Sequence, residues 1–233
     1  LKWRHVPIAE VVGRITGLEV FVDNMKAVAI GEHWFGNARD TDNLVWIYVG
    51  GGFGVVVIIG GSIYRGASGI PGEIGHVSVV KDGPQCKCGN RGCLETFVAE
   101  VPILRRVRDA IEKGVKTEIT NLVKDMSSLK LSHIFLAAKS GDSFAKGIID
   151  GMVYYTSLAA AMVAADYDPG VIVLGGPVIE EAGEEYFELV KKEVAERVGK
   201  YMGSRWHMRK SVMGQDAGVI GAAAVVYQEL FKL

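Results

Sequence analysis

Six side chains between Gly69 and Glu95 are suited to chemistry by type and spacing: Glu73, His76, Cys86, Cys88, Cys93 and Glu95. The three cysteines are all that the chain has. They are spaced Cys-x-Cys-x-x-x-x-Cys, with a histidine upstream, and so supply three thiolates and one imidazole. Thiolates are soft donors that suit zinc, and four protein ligands close a tetrahedral site. A closed site leaves no position for a reacting water, so the expected role is structural. Gly89 and Gly92 fit a tight knuckle, which needs backbone freedom. The competing reading is three free thiols packed in a loop.

The spacing Glu73-x-x-His76 has a second meaning. If one imidazole nitrogen binds metal, the other becomes a fixed N–H donor. Glu73 and Glu95 would add acceptors beside it. Carboxylates that accept hydroxyl protons are what a sugar site needs; the alternative is two surface carboxylates. Asp23 and Asn24 end an expected strand, Leu18 to Val22, and the carboxyl end of a strand is where ligands sit in an open α/β sheet. Gly50-Gly51-Gly52-Phe53-Gly54 turns the chain between two apolar strands. Such a turn either presents N–H groups to an anion or is a turn without a ligand. It opens no helix, so it is neither a dinucleotide fingerprint nor a P-loop. Gly175-Gly176-Pro177 lets the chain approach something closely.

The elements that must position these groups alternate. A helix starts near Pro7 and stops at Gly17, and a second runs from Met25 to Trp34. Strands are expected at 44–49, 55–59 and 62–64, the last two joined by the hairpin signal Gly60-Gly61. A strand follows at 76–80, then a helix at 96–112. A short helix at 132–139 is expected to be capped by Ser132. A long one spans 141–165, with Asp142 or Ser143 as cap. A buried strand lies at 171–174, a helix at 180–198, a last strand at 211–213 and a last helix at 218–231. The pattern is α/β or mixed α+β.

The 233 residues are 49% hydrophobic and 23% charged, with formal net charge -1. That is enough apolar material for a sizeable core and lacks the basic excess of a DNA-binding domain. No uninterrupted apolar run approaches membrane-spanning length, so no membrane partner is expected. Three clustered cysteines suit a metal site in a reducing cytosol, so a cytoplasmic location is expected. The basic run Arg197, Lys200, Arg205, His207, Arg209 and Lys210 reads as a solvated surface more readily than a phosphate site. His5, His33 and His133 lack metal-like spacing. Trp34 and Phe35 read as packing residues.

Taken together, these motifs resemble the ROK family of repressors, open reading frames and sugar kinases. The resemblance rests on Gly50 to Gly54, Tyr64-Arg65-Gly66, Gly72-Glu73-Ile74-Gly75-His76 and Cys86 to Glu95. Trp3 to Pro7, Leu174-Gly175-Gly176 and Asp216 to Gly221 also match. It implies the actin-like, ribonuclease H-like ATPase fold, with residues 1–43 as the remainder of a first lobe. Residues 44–233 would form the C-terminal lobe, with a zinc loop at 76–93. It implies zinc on His76, Cys86, Cys88 and Cys93, and sugar contacts from Glu73, His76 and Glu95, with Asp23 and Asn24 completing the sugar site. Gly51, Gly52, Gly54, Gly175 and Gly176 would suit a nucleotide. A homodimer joined through the last helix is a further family expectation.

Two departures bear on activity. Family kinases place a general-base aspartate where this sequence has Asn24, whose amide cannot take the sugar proton; Asp23 beside it points elsewhere. Lys26 stands where the family has an asparagine. The residues from Leu1 onward also hold no Asp-x-Gly-x-Thr phosphate loop of the kind that opens family kinases. The expectation is a sugar-binding effector domain of a transcriptional regulator, reaching DNA through a helix-turn-helix outside this chain. The alternative is an ATP- and Mg2+-dependent kinase of a hexose or N-acetylated hexosamine.

Overall fold

Three apolar runs of the sequence build the middle of one sheet. The computed structural model describes residues 6–23, 25–203 and 206–231. Helices α1 (Ile8–Thr16) and α2 (Lys26–Trp34) lead into strands β1 (Leu44–Val49), β2 (Phe53–Ile59) and β3 (Ser62–Ile63). Short helices α3 (Glu95–Val98) and α4 (Glu100–Glu112) follow, then α5 (Ile119–Leu122), α6 (Leu131–Lys139) and α7 (Ser143–Tyr167). Strand β4 (Val171–Gly175), helix α8 (Pro177–Met202), strand β5 (His207–Lys210) and helix α9 (Ala217–Phe231) complete the described elements.

The strand order is β3-β2-β1-β4-β5. Strand β1 pairs antiparallel with β2 and parallel with β4, and β5 is parallel to β4. The central strands are buried on both faces, so they read as continuous apolar runs. Val45, Ile47, Ile172 and Leu174 point to the face covered by α3, α4, α6, α7 and α8. Leu44, Trp46, Val171 and Val173 point to the face covered by α2. Helix α9 then packs on α2 through Ala27, Ile30, Ala224 and Val225. The crossing is close because Gly221 lies against the Ala27 backbone, where a Cβ would fall 2.5 Å from its carbonyl oxygen.

Several expectations change. Leu18 to Val22 forms no strand: it pairs with none of the described strands, and its side chains are exposed or half-buried rather than buried in the core. The 76–80 segment is a 3₁₀ turn at Glu73–His76 followed by a single bridge, Ser78 to Cys93. The last strand lies at His207–Lys210, ahead of 211–213; Ser211 instead donates to Glu32 Oε2 at 2.9 Å. The 96–112 helix divides at Ala99, which is extended. At α6 the cap is Lys130, whose backbone N–H donates to His133 Nδ1, so Ser132 caps nothing. Asp142 caps α7 as expected, accepting from the Ala145 N–H at 2.7 Å.

Helix α7 is long and apolar enough to cross a membrane by length and composition. Here it is the core helix: Met152, Ala159, Ala160 and Ala164 are fully buried against the sheet cluster.

Candidate functional site

The knuckle is built from loops that the sheet holds from one side. Gly92 has a φ of +68°, and a Cβ there would collide with the Val80 carbonyl, so the residue must be glycine. The Val79 N–H donates to the Gly92 carbonyl at 2.8 Å and the Cys86 N–H to Asn90 at 2.9 Å, which folds the loop back on itself. Ile74, Val79 and Val80 tie it to the main core.

This brings the four expected ligands together. The ligand atoms of His76, Cys86, Cys88 and Cys93 all lie within 4.8 Å of one another. Cys88 Sγ and Cys93 Sγ are 3.7 Å apart, and Cys86 Sγ lies 3.6 Å from His76 Nδ1. A tetrahedron with metal–sulfur bonds of about 2.3 Å has edges of roughly 3.8 Å. The cysteines form no disulfide. Burial, with the neighbouring thiols adding, pushes the Cys93 thiol up to about 12. The Cys88 thiol is lowered, chiefly by a backbone hydrogen bond at Asn90. Three adjacent thiolates need a cation to ionise together, and a metal ion supplies it. The group can therefore hold a metal.

His76 presents its other nitrogen to Glu73: Nε2 to Oε2 is 3.8 Å. Glu73 is largely exposed, whereas the Glu95 side chain is only 6% exposed. Glu95 opens α3, and its Oε2 accepts from the Phe53 N–H at 3.0 Å. Phe53 also backs the 3₁₀ turn, because its carbonyl packs on Gly75. The start of β2 is thus where the Glu73–His76 turn and Glu95 meet. Asp23 is held by Arg65, Nη2 to Oδ2 at 3.2 Å, and Lys26 Nζ donates to the Gly69 carbonyl at 2.7 Å. These two contacts fasten the loop between β3 and Glu73 to the N-terminal end of α2. Asn24 lies outside the described residues, as do Trp3 to His5 and Arg205.

The glycines separate into two places. Gly54, Tyr48 and Gly175 form one register row across β2, β1 and β4. Gly51 lines a small hollow of about 60 Å³ with Cys86, Lys87, Glu95 and Arg105. Gly176 instead lines a cleft of about 440 Å³ at the carboxyl ends of β1, β4 and β5. Met25, Trp46, Tyr48, Pro177 and Glu180 share that cleft, and Trp46 Nε1 is buried without a hydrogen-bond partner. Burial pushes the Tyr48 hydroxyl up, with Glu100 and Glu180 adding. The aromatic wall escaped the sequence reading because Trp46 and Tyr48 look like ordinary strand residues; their shared period-2 face was the available signal. The Lys87–Glu95 contact escaped it too.

Among the described residues, three members of the basic run are taken up by separate acidic partners. Arg209 is bidentate to Asp40 at 2.6 and 2.8 Å, Arg197 pairs with Glu193, and Lys210 lies 3.9 Å from Glu184.

The model of the ROK family matches residues 1–229. The chain belongs to the ROK family. This ROK chain is 32% identical over 229 residues to a glucokinase of Thermotoga maritima, covering 98% of this chain and 72% of that one. It is 28% identical over 233 residues to the xylose repressor of Bacillus subtilis, covering 100% of this chain and 56% of the repressor. The structure superposes on a ROK family glucokinase from Streptomyces griseus, solved in complex with glucose and AMPPNP. The TM-score is 0.84 at 29% identity, over 98% of this chain and 74% of that one. The fold is therefore the actin-like ATPase fold of ROK sugar kinases. ROK kinases and ROK repressors both stand among its relatives, and the chain spans little more than half of the repressor.

Proposed function

We propose that this chain is the sugar-binding effector part of a ROK transcriptional regulator, with zinc on His76, Cys86, Cys88 and Cys93. Residues 1–43 would complete a first lobe and 44–233 form the second. The observation that carries the sugar reading is the meeting of the Glu73–His76 turn and Glu95 at the start of β2. Such acceptors and an oriented imidazole fit the vicinal hydroxyls of a sugar. The repressor relative supports the regulatory reading, and so does Asn24, which cannot act as a base. A sensor needs binding without turnover, and a sugar that favours one lobe arrangement would bias DNA binding. DNA would be reached through a helix-turn-helix outside these residues, in a cytoplasmic homodimer.

Zinc here would be structural. Its four ligands leave no open position, so it supplies order rather than a reacting water. His76 would bind it through Nδ1 and hold Nε2 toward Glu73 and the sugar, and Glu73 would accept a hydroxyl proton beside it. Metal analysis should return about one equivalent per chain; a metal-free chain with the knuckle fully ordered would remove zinc from this reading.

The second reading is an ATP-dependent sugar kinase. It draws on the glucokinase relatives and on the cleft at Gly176, where the N-terminus of α8 favours a phosphate and Mg2+ would accompany it. Calorimetry with glucose, xylose and N-acetylglucosamine, run beside an ADP-release assay, separates the two. Sugar binding without turnover is the expected result. Robust ADP release that depends on sugar would overturn the sensor reading in favour of the kinase.

A further inference from the structure

Lys87 stands between two of the metal-ligating cysteines, yet its side chain leaves the knuckle. Its ammonium lies 3.1 Å from Glu95 Oε1 and 3.4 Å from Oε2, so it straddles the carboxylate. Glu95 is nearly buried, while Lys87 is 66% exposed. The carboxylate has a backbone donor, the Phe53 N–H, on one side and the ammonium on the other. Gly52 closes over both: a side-chain carbon there would lie 3.0 Å from Glu95 Oε2 and 3.5 Å from Lys87 Nζ. A buried carboxylate without a partner is costly and turns toward water or another donor. Lys87 keeps Glu95 in place.

We infer that Lys87 is a positioning residue that couples the metal knuckle to the sugar site. Metal on Cys86 and Cys88 fixes the backbone on both sides of Lys87. The ammonium then fixes Glu95, and Glu95 offers its remaining acceptor capacity to a sugar hydroxyl. The ammonium also cancels the Glu95 charge, which lowers the pocket's preference for a cationic amino sugar relative to a pocket without Lys87. The inference rests on the sugar-binding reading given above.

The test is calorimetric, on the full chain. D-glucose and D-glucosamine are titrated, at mildly acidic pH where the amine is cationic, into the unaltered protein, Lys87→Met and Lys87→Arg. Metal content and thermal midpoint are measured on each. Lys87→Met should keep its metal, lose roughly tenfold in glucose affinity and shift its preference toward glucosamine. Lys87→Arg, which keeps the cation, should recover most of the affinity. Removing metal from the unaltered protein should weaken glucose binding by more than the same treatment of Lys87→Met does, because that variant has already lost the link. Glucose affinity and selectivity unchanged in a metal-replete Lys87→Met would overturn the inference alone. Equal losses in the Met and Arg variants would also overturn it, since the cation would then not matter. An unaltered protein that binds metal but neither sugar would overturn the sugar reading and this inference together.

Discussion

The knuckle and the sheet are ordered by different physics. In the sheet, β1 and β4 bury their side chains on both faces, and Leu44, Ile47, Ile172 and Leu174 are each 1% exposed or less. Its order comes from removing apolar area from water, roughly 25 cal/mol per Å², and needs no ligand. The 73–95 stretch buries little beyond Gly75, Cys86 and the run that begins at Gly92. Its centre is three thiols and an imidazole whose ligand atoms lie within 4.8 Å of one another. The sheet's order therefore needs no ligand, whereas under the zinc reading proposed above the knuckle's order depends on an ion. The parts meet at Phe53, where the N–H donates to Glu95 and the carbonyl packs on Gly75.

The sharpest way to break this contrast is to remove the metal. Structural zinc contributes of order 10 kcal/mol in small zinc-dependent domains. Chelation, or Cys93→Ser, should release amide protection across residues 73–98 while β1, β2 and β4 stay protected in hydrogen exchange. Uniform loss of protection in both regions would show that the sheet depends on the ion as well. His76→Ala belongs to the same test, because it should lower metal content and sugar affinity together. Full sugar affinity in that variant would separate knuckle from pocket.

The reverse experiment removes apolar volume. Leu174→Ala in fully buried β4 should cost about 3 kcal/mol of global stability by chemical denaturation, with metal per folded chain unchanged. A loss of metal stoichiometry in the still-folded variant would mean that the core strain reaches the knuckle.

The contrast also explains what could be read from residues alone. The candidate ligands were legible because metal binding demands residue types at short spacing, and Cys86, Cys88, Cys93 and His76 do converge. Strands β1, β2 and β4 were legible because burial on two faces leaves continuous apolar runs. Leu18 to Val22 is also mostly apolar, but it pairs with no described strand, and pairing is a tertiary fact. The 76–80 segment looks like a strand by residue type, but bending around the knuckle leaves it one bridge to Cys93. Ser211 resembles a strand residue until buried Glu32 claims its hydroxyl. The grip of Lys87 on Glu95 spans eight residues and depends on where the loop folds back, so no local spacing signals it. Asn24, on which the proposed choice between sensor and kinase leans, lies outside the described residues.

A smaller effect sharpens the sheet side. Thr156 on α7 and Tyr186 on α8 share a buried hydroxyl pair at 2.9 Å, and burial pushes the Tyr186 hydroxyl up despite that bond. Thr156→Val keeps the shape and orphans the phenol, so it should cost about 1–3 kcal/mol. A neutral result in denaturant titration would mean that the phenol finds another partner.

The smallest effect lies farthest from either core, where β5 is fastened to the loop before β1. Arg209 holds the Asp40 carboxyl at about 2, below its ordinary 3.8, mainly through their hydrogen bonds. A carboxyl lowered in the folded state adds stability that is present in full above 3.8. Stability must then fall as pH drops from about 3.8 through about 2, because the unfolded chain takes up the proton first. Asp40 is exposed, so screening keeps this contribution small. Asp40→Asn should remove that slope and lower the plateau above 3.8 by the same small amount, leaving neutral-pH metal content and sugar affinity unchanged. A neutral-pH loss well beyond that small amount would mean that the Asp40–Arg209 pair fastens β5 for the whole sheet, and that the sheet owes part of its order to charge.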